Sequence, residues 1–491
     1  MRGVAHQTIE VDVAVCLARV TDREGRSGPM AKAVSNHRLH ALLQEAGYAQ
    51  ARAAFARQVN LRGRADGLKA SYDAASVYWW LRGRRPADPV PRVIAEVLAR
   101  RIGRAVAVDE LGFTADGHLA DLGLAFAADL DVTRSTVAAL WRHQVIDQNA
   151  LAAVPFVASC AAEAGWRWHF DARDTDASHC GTRRVTLADV DALRACQQQF
   201  LDLDRRHGGG QFRVFLSQWL HREVGPMLHG SYTDRVGRQL FAAVAELTGQ
   251  VAFMTYDVGE HGYAQRLFIQ SLRLAKAADH TGFGAHILAN MSTQAVYLQR
   301  PGEAVRLARA SVDGGRSRTH ASVMARLHTA EACAHAIAGD ALGCTTALRR
   351  AEAATEKITG ADHPVWVGYF TPAHLAGTAI RCLRDLGRPK DALAYTEQAL
   401  ALDESSVRTR ALHTALIASV HADGTAAEPD HAGRLGNDAL DLAERVRSRR
   451  VADRITDLAR RLAPYHGRPT VDRFLHRARA YTQPVVGTVI E

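Results

Sequence analysis

The sequence predicts an all-α protein, and three observations carry that prediction. In most segments from Asn36 onward, apolar residues recur every three or four positions, the period of a helix with one buried face. Glycine and Pro-Gly steps fall where such stretches end or begin, as at Gly47, Gly208, Gly259, Pro301-Gly302 and Gly387. From about Leu240 a small, bulky, small triplet at helix positions 1, 5 and 8 returns as Ala264/Phe268/Ser271, Ala304/Ala308/Ser311, Cys344/Leu348/Ala351 and Ala392/Thr396/Ala399.

At 491 residues the chain exceeds what one core can hold, and roughly two to four domains are expected. Its 47% apolar and 23% charged residues are those of an ordinary soluble protein. No apolar run approaches the roughly 18 residues that a membrane span needs, so no membrane partner is expected. The mildly apolar stretch Val11 to Val20 is broken by Asp12 and lacks a cleavage site, so residues 1–32 read as a flexible extension, with Met30 as an alternative start. Seven cysteines, an odd number without a C-x-x-C pair, read as buried thiols of a cytoplasmic protein.

Residues 33–114 form the first expected domain. Leu39, Leu42, Leu43 and Ala46 define a helix ending at Gly47. A second helix, AQARAAFARQVN, turns Phe55, Ala56 and Val59 inward and Arg52 and Arg57 outward. A connection of about a dozen residues is expected between this helix and the next, because Leu61 to Ala70 is polar and rich in glycine and arginine. In the third helix Ser71 or Asp73 can cap the start, Val77 and Trp80 share a face, Gly83 supplies a left-handed end and Pro86 forbids continuation. Pro91 to Ile102 adds a fourth.

This domain carries the charge of the whole chain. Residues 31–104 hold 14 Lys and Arg against five acids, a net of 14 − 5 = +9. The other 47 basic and 47 acidic side chains cancel. A field of one sign confined to a short stretch suits a polyanion.

The segments AFARQVN and SVYWWLRGRRP, followed by PVPRVIAEVLARRIGRAVAVDELGF, resemble the helix-turn-helix domain of actinobacterial regulators of the Xre/lambda-repressor type. The resemblance implies major-groove reading by the helix over Asp73 to Leu81, with Arg82, Arg84 and Arg85 on phosphates. Arg38, Arg52, Arg57, Arg62, Arg64 and Lys69 are further candidate DNA contacts. Tyr72, Ser76 and Tyr78 are candidate base readers, with shape readout taking a larger share because Ala74, Ala75 and Trp79 point outward.

Residues 115–185 read as a linker with short helices, one around Val137 to Trp141, and Trp166 and Trp168 as packing anchors near its end. Residues 186–239 form a helical connection that opens on a Thr186/Asp189 capping box. Residues 240–465 form an α-solenoid of hairpins, with first helices at Leu247 to Tyr256, Ala285 to Leu298, Ala321 to Ala338 and Ala373 to Leu386. LGRPKDALAYTEQALALD resembles a tetratricopeptide repeat, the other units being longer and degenerate. Residues 466–491 are left as a tail. Asn290, Gln294, Tyr297, His328, Glu331 and His335, all on first helices, are candidates for a groove that takes a peptide, a small-molecule effector or a protein partner.

No zinc-protease, nucleophile-elbow, Walker or dinucleotide motif is present, so neither an enzyme nor a cofactor is expected. The whole resembles a tetratricopeptide-bearing transcription regulator of development or secondary metabolism, binding double-stranded DNA, with a homodimer as the implied assembly. The alternative is a scaffold whose repeats recruit a partner and whose basic segment attaches loosely to nucleic acid.

Overall fold

A computed structural model describes residues 36–482 except 67, 70, 83, 85, 87–88, 105, 107, 114–121, 147–153, 317–318, 360–362 and 424–426. The chain divides into two units, Met1–Leu119 and Ala120–Glu491. Both are helical, and among the described residues the only β pairing is two isolated bridges, His179 with Tyr232 and Arg184 with Ser231.

The first unit packs α1 (His37–Glu45), α2 (Arg52–Ala65), α3 (Ala74–Trp80), α4 (Val90–Ile102) and a 3-10 turn, Val108–Leu111. Leu39, Phe55, Val77, Trp80, Ile94, Leu98 and Leu111 make its core. Asn36 locks three of these pieces together. Its side chain accepts from the Leu39 N–H at 3.0 Å and donates to the Leu111 carbonyl at 3.0 Å, while its own N–H donates to the Leu81 carbonyl at 2.9 Å. A buried amide with all these groups satisfied fixes where α1 starts and where α3 ends.

The expected dozen-residue connection after α2 is shorter than the composition suggests. The helix runs on to Ala65, leaving residues 66–73 as the link. Two contacts explain this. Gly63 is buried, and Arg62 bridges Asp66 one turn on at 2.9 Å and Glu96 of α4 at 2.7 Å. Arg62 and Arg64 are therefore helical. Asn60 then pins the link by exchanging two 2.7 Å hydrogen bonds with the Tyr72 backbone.

The second unit begins with α5 (Leu130–Ile146) and α6 (Ala158–Phe170), two full helices where a linker with short pieces was expected. They are sewn onto the repeats. Trp141 is fully buried, and Trp168 lies so close to Gly284 and Gly314 that a β-carbon on either would fall 2.4–2.5 Å from its ring. Lys276 donates to the carbonyls of Trp168 (2.8 Å) and Asp171 (2.7 Å), closing the carboxyl end of α6. Trp166, by contrast, is 61% exposed, its ring 5.3 Å from that of the likewise exposed Phe170 on the same helix. Nor are all the thiols buried, since Cys180 is exposed.

Next come α7 (Leu187–His207), opened by the expected capping box in which Asp189 accepts from the Thr186 N–H at 2.8 Å, and α8 (Gly209–Trp219). Gly208, at φ +79°, ends α7, but Gly209 and Gly210 already belong to the next helix. The repeat-like part follows as hairpins: α9 (Asp234–Asp257) with α10 (His261–Ala277), α11 (Thr281–Tyr297) with α12 (Pro301–Gly315), and α13 (Ala321–Ile337) with α14 (Ala341–Thr355). Then α15 (Pro372–Asp385) pairs with the broken α16 (Pro389–Leu393) and α17 (Thr396–Leu400), and α18 (Val407–His421) with α19 (Pro429–Ala443). The chain closes with α20 (Arg449–Leu462) and α21 (Pro469–Thr482), so helix extends into the expected tail. Ala264, Phe268, Ser271, Ala304, Ala308, Ser311, Cys344, Ala351, Ala392 and Ala399 are all buried, as close helix approach requires.

Along α10 the polar residues Gln265, Arg266, Gln270 and Arg273 are also buried. They serve irregular backbone from the preceding segment. Gln265 exchanges hydrogen bonds with Val157 (2.8 and 2.6 Å), Gln270 donates to Gly123 and Ala125 (2.9 Å each), and Arg273 donates to Ala127 and Ala128 and pairs with Asp174. Buried main-chain carbonyls need such partners.

Candidate functional site

Two places in the molecule gather chemistry. The first is the basic surface of the first unit, where the described acids are engaged by neighbours. Glu96 and Asp66 hold Arg62, Glu45 and Glu110 hold Arg104, and Asp73 caps α3. Hydrogen bonds from the Ser76 N–H and hydroxyl keep the Asp73 carboxyl below its usual range. Arg38, Arg57, Lys69 and Arg84 are exposed and form no ion pair among the described residues.

The other candidate contacts divide between outward and structural roles. Arg52 and Arg82 flank the Tyr78 ring, their guanidiniums 5.9 and 5.0 Å from its centre. Arg64 is exposed on α2, while Arg62 is tied down as described. Tyr72 packs its ring 5.1 Å from Trp80, and the Ser76 hydroxyl donates to Asp73 at 2.8 Å and accepts from the Asp73 N–H at 3.3 Å. Neither Tyr72 nor Ser76 is therefore poised outward as a base reader. Arg85 lies outside the described residues. What α3 presents is Ala75, Tyr78 and Trp79, continued by Arg82 at the i, i+3, i+4, i+7 spacing of one helix face, with Trp79 47% exposed.

The second place is a cavity of about 740 Å³ inside the second unit. Its wall is built from α7 and the first helices of the hairpins, α9, α11, α13, α15 and α18, with α20 closing it. Long-range ion pairs hold this ring together. Asp204 of α7 grips Arg408 of α18 through two 2.8 Å hydrogen bonds, and fully buried Asp257 meets Arg408 (3.3 Å), Arg450 (2.6 Å), the Ser448 hydroxyl (2.8 Å) and the Gly209 N–H (3.1 Å). Burial opposes ionisation of Asp257, but the charges of Arg450 and Arg408 prevail and keep its carboxyl below the usual range.

Of the expected groove residues, Asn290 and Tyr297 line this cavity. Asn290 accepts from Arg326 at 3.0 Å, and the Tyr297 hydroxyl donates to Asp453 of α20. Gln294, His328, Glu331 and His335 do not line it. Gln294 donates to the His261 carbonyl (2.8 Å), His328 meets Glu331 (3.0 Å), and His335 meets Asp340 (2.8 Å), which caps α14. The expected face of α13 was wrong by roughly half a turn: Arg326, Thr329, Ala330 and Cys333 are the residues that look inward.

The cavity also holds residues that the sequence reading missed. Phe253, Phe283, Trp366 and Tyr369 give it aromatic walls, and His286 packs 4.8 Å from Trp366. Burial keeps His286 and His413 neutral by pushing them below the usual imidazole range, and lowers His374 to about 3. The usable signal was arginine on the first helices of the hairpins, as at Arg326, Arg381 and Arg408.

A sequence-family model described as the SP15 N-terminal domain matches residues 39–114, most of the described first unit. No curated protein matches the chain.

Proposed function

We propose that this chain is a cytoplasmic, DNA-binding transcription regulator, with the first unit as an Xre-type helix-turn-helix module and the second as a tetratricopeptide-like solenoid that senses an effector. One observation carries the reading: a net charge of 14 − 5 = +9 sits within residues 31–104, and the described acids there are already engaged. Free cations at Arg38, Arg57, Lys69 and Arg84 suit phosphates. The Ala75–Tyr78–Trp79 face of α3 suits apolar contact with thymine methyls and shape readout in place of a hydrogen-bonded base code. A homodimer on a two-fold operator is the proposed assembly.

The test is fluorescence anisotropy of the full chain on labelled duplexes across a salt series. Arg57→Ala and Arg84→Ala are expected to weaken binding to every sequence alike, and each to lower the slope of log affinity against log salt by about one. Tyr78→Ala is expected to re-rank sequences. Unchanged affinity and slope in both arginine variants would remove α2 and the turn after α3 from the interface, and loss of sequence ranking on screening would favour a loosely attached scaffold.

A further inference from the structure

The cavity of the second unit has a chemical character more specific than an open groove. Several buried polar atoms in its wall have no hydrogen-bond partner among the described residues. Gln250, 7% exposed, has neither its Nε2 nor its Oε1 hydrogen-bonded among the described residues. Gln197 Nε2 (2% exposed) and His286 Nδ1 (5% exposed) likewise have no hydrogen-bond partner among the described residues, and the Arg381 Nε has no hydrogen bond there, only the 3.7 Å ion pair with Asp385. Buried polar groups are rarely left so in native folds.

Charge is also unbalanced in one direction. Among the described residues Arg326 is held by neutral oxygens alone, those of Asn290, Thr293 and Tyr369 at 3.0–3.1 Å. Arg454 makes no hydrogen bond or ion pair among the described residues, and Arg381 has only Asp385, at 3.7 Å. The carboxylates of the wall are committed elsewhere: Asp204 to Arg408, Glu246 to His280 at 2.9 Å, and Asp403 to Ser405. Burial, with the charges of Arg381 and Arg384 beside it, outweighs the opposing charges of Asp385 and Asp457 and lowers the Arg454 guanidinium to about 9.

We propose that this cavity binds a small organic anion, with its acidic group on Arg381 and Arg454 and a flat apolar body against Phe253, Phe283 and Trp366. The volume of about 740 Å³ lies in the range of small-ligand sites. Donors dominate the unpaired atoms, which selects an acceptor-rich group such as a carboxylate, sulfonate or phosphate. This deepens the sensor half of the function proposed above by naming the class of effector, and it is tested without DNA.

The probe is 8-anilinonaphthalene-1-sulfonate, compared with N-phenyl-1-naphthylamine, the same aromatic body without the sulfonate. Each is titrated by fluorescence into the full chain with no nucleic acid present. The sulfonate is expected to fill one saturable site and the neutral amine to bind about tenfold more weakly, as suits a charge-assisted hydrogen bond. Arg381→Gln and Arg454→Gln are each expected to lower sulfonate affinity about tenfold and to leave amine binding unchanged. Because Arg454→Gln also removes a cation that desolvation and two neighbouring arginines disfavour, it is expected to raise the melting temperature of the free protein. Equal binding of the two probes, unchanged sulfonate affinity in both variants, or a destabilised Arg454→Gln protein would overturn the assignment. DNA binding that survives any of these results leaves the regulator reading intact.

Discussion

Replacing Asp257 with alanine is expected to destabilise the second unit by about 3–5 kcal/mol, the usual penalty for stripping one partner from a buried ion pair. The carboxylate is fully buried and is the point where the end of α9 meets Arg408 and Arg450, residues some 150 and 190 positions later. Arg408 retains Asp204 in the variant, so the loss falls mainly on Arg450 and on the Ser448 and Gly209 hydrogen bonds. Thermal melts of the full chain check this, and a change below about 1 kcal/mol would show the ring closed by other contacts. The pH dependence follows from the same carboxylate. Its folded-state pKa lies below the ordinary 3.8, so its contribution is complete above that value and disappears as pH falls through the lower folded-state value. The gap in melting temperature between the wild type and Asp257→Ala should therefore be constant near neutrality and narrow only below about pH 4.

The second large effect is expected at Trp141→Ala, at about 3–5 kcal/mol for emptying a fully buried tryptophan site. Trp141 sits on α5, and the carbonyl of its neighbour Leu140 accepts a 2.6 Å hydrogen bond from the buried Tyr263 of the first hairpin. A cavity there should loosen both α5 and α10, and increased amide exchange over Leu130–Ile146 and His261–Ala277 should accompany the lower melting temperature. Were residues 115–185 a linker, the substitution would leave the repeats untouched and shift the melt by less than about 0.5 kcal/mol.

These two sites also mark where local sequence stops being informative. The helix pairs from α9 to α15 were legible because their small, bulky, small spacing and glycine breaks are set within one or two turns. That the first helix of each pair lines the interior was legible for the same reason. The facing residues on α13 were not, because its sequence is alanine-rich on every side and nearly all of it is buried, which leaves no amphipathic phase to read. The 115–185 segment was misread because its irregular backbone is satisfied by Gln265, Gln270 and Arg273, residues that look like a solvated face until the partner segment is in place. Within the first unit, the core and the Asp73 cap followed from local pattern. The continuation of α2 depended on Glu96, 34 residues after Arg62, and Ser76 was withdrawn from base reading by the cap itself.

If the sensor and DNA-binding roles are coupled as proposed, the anion must favour one DNA-affinity state over another, typically by about 1–3 kcal/mol. The claim on which this rests is that the first unit reads double-stranded DNA. It is tested most directly by incubating the full chain with a pool of random-sequence duplexes at low and at near-physiological salt and sequencing what is retained. The account predicts binding at both, with one motif enriched and its rank order preserved as phosphate contacts are screened. Retention without any enriched motif, or no retention even at low ionic strength, would contradict it.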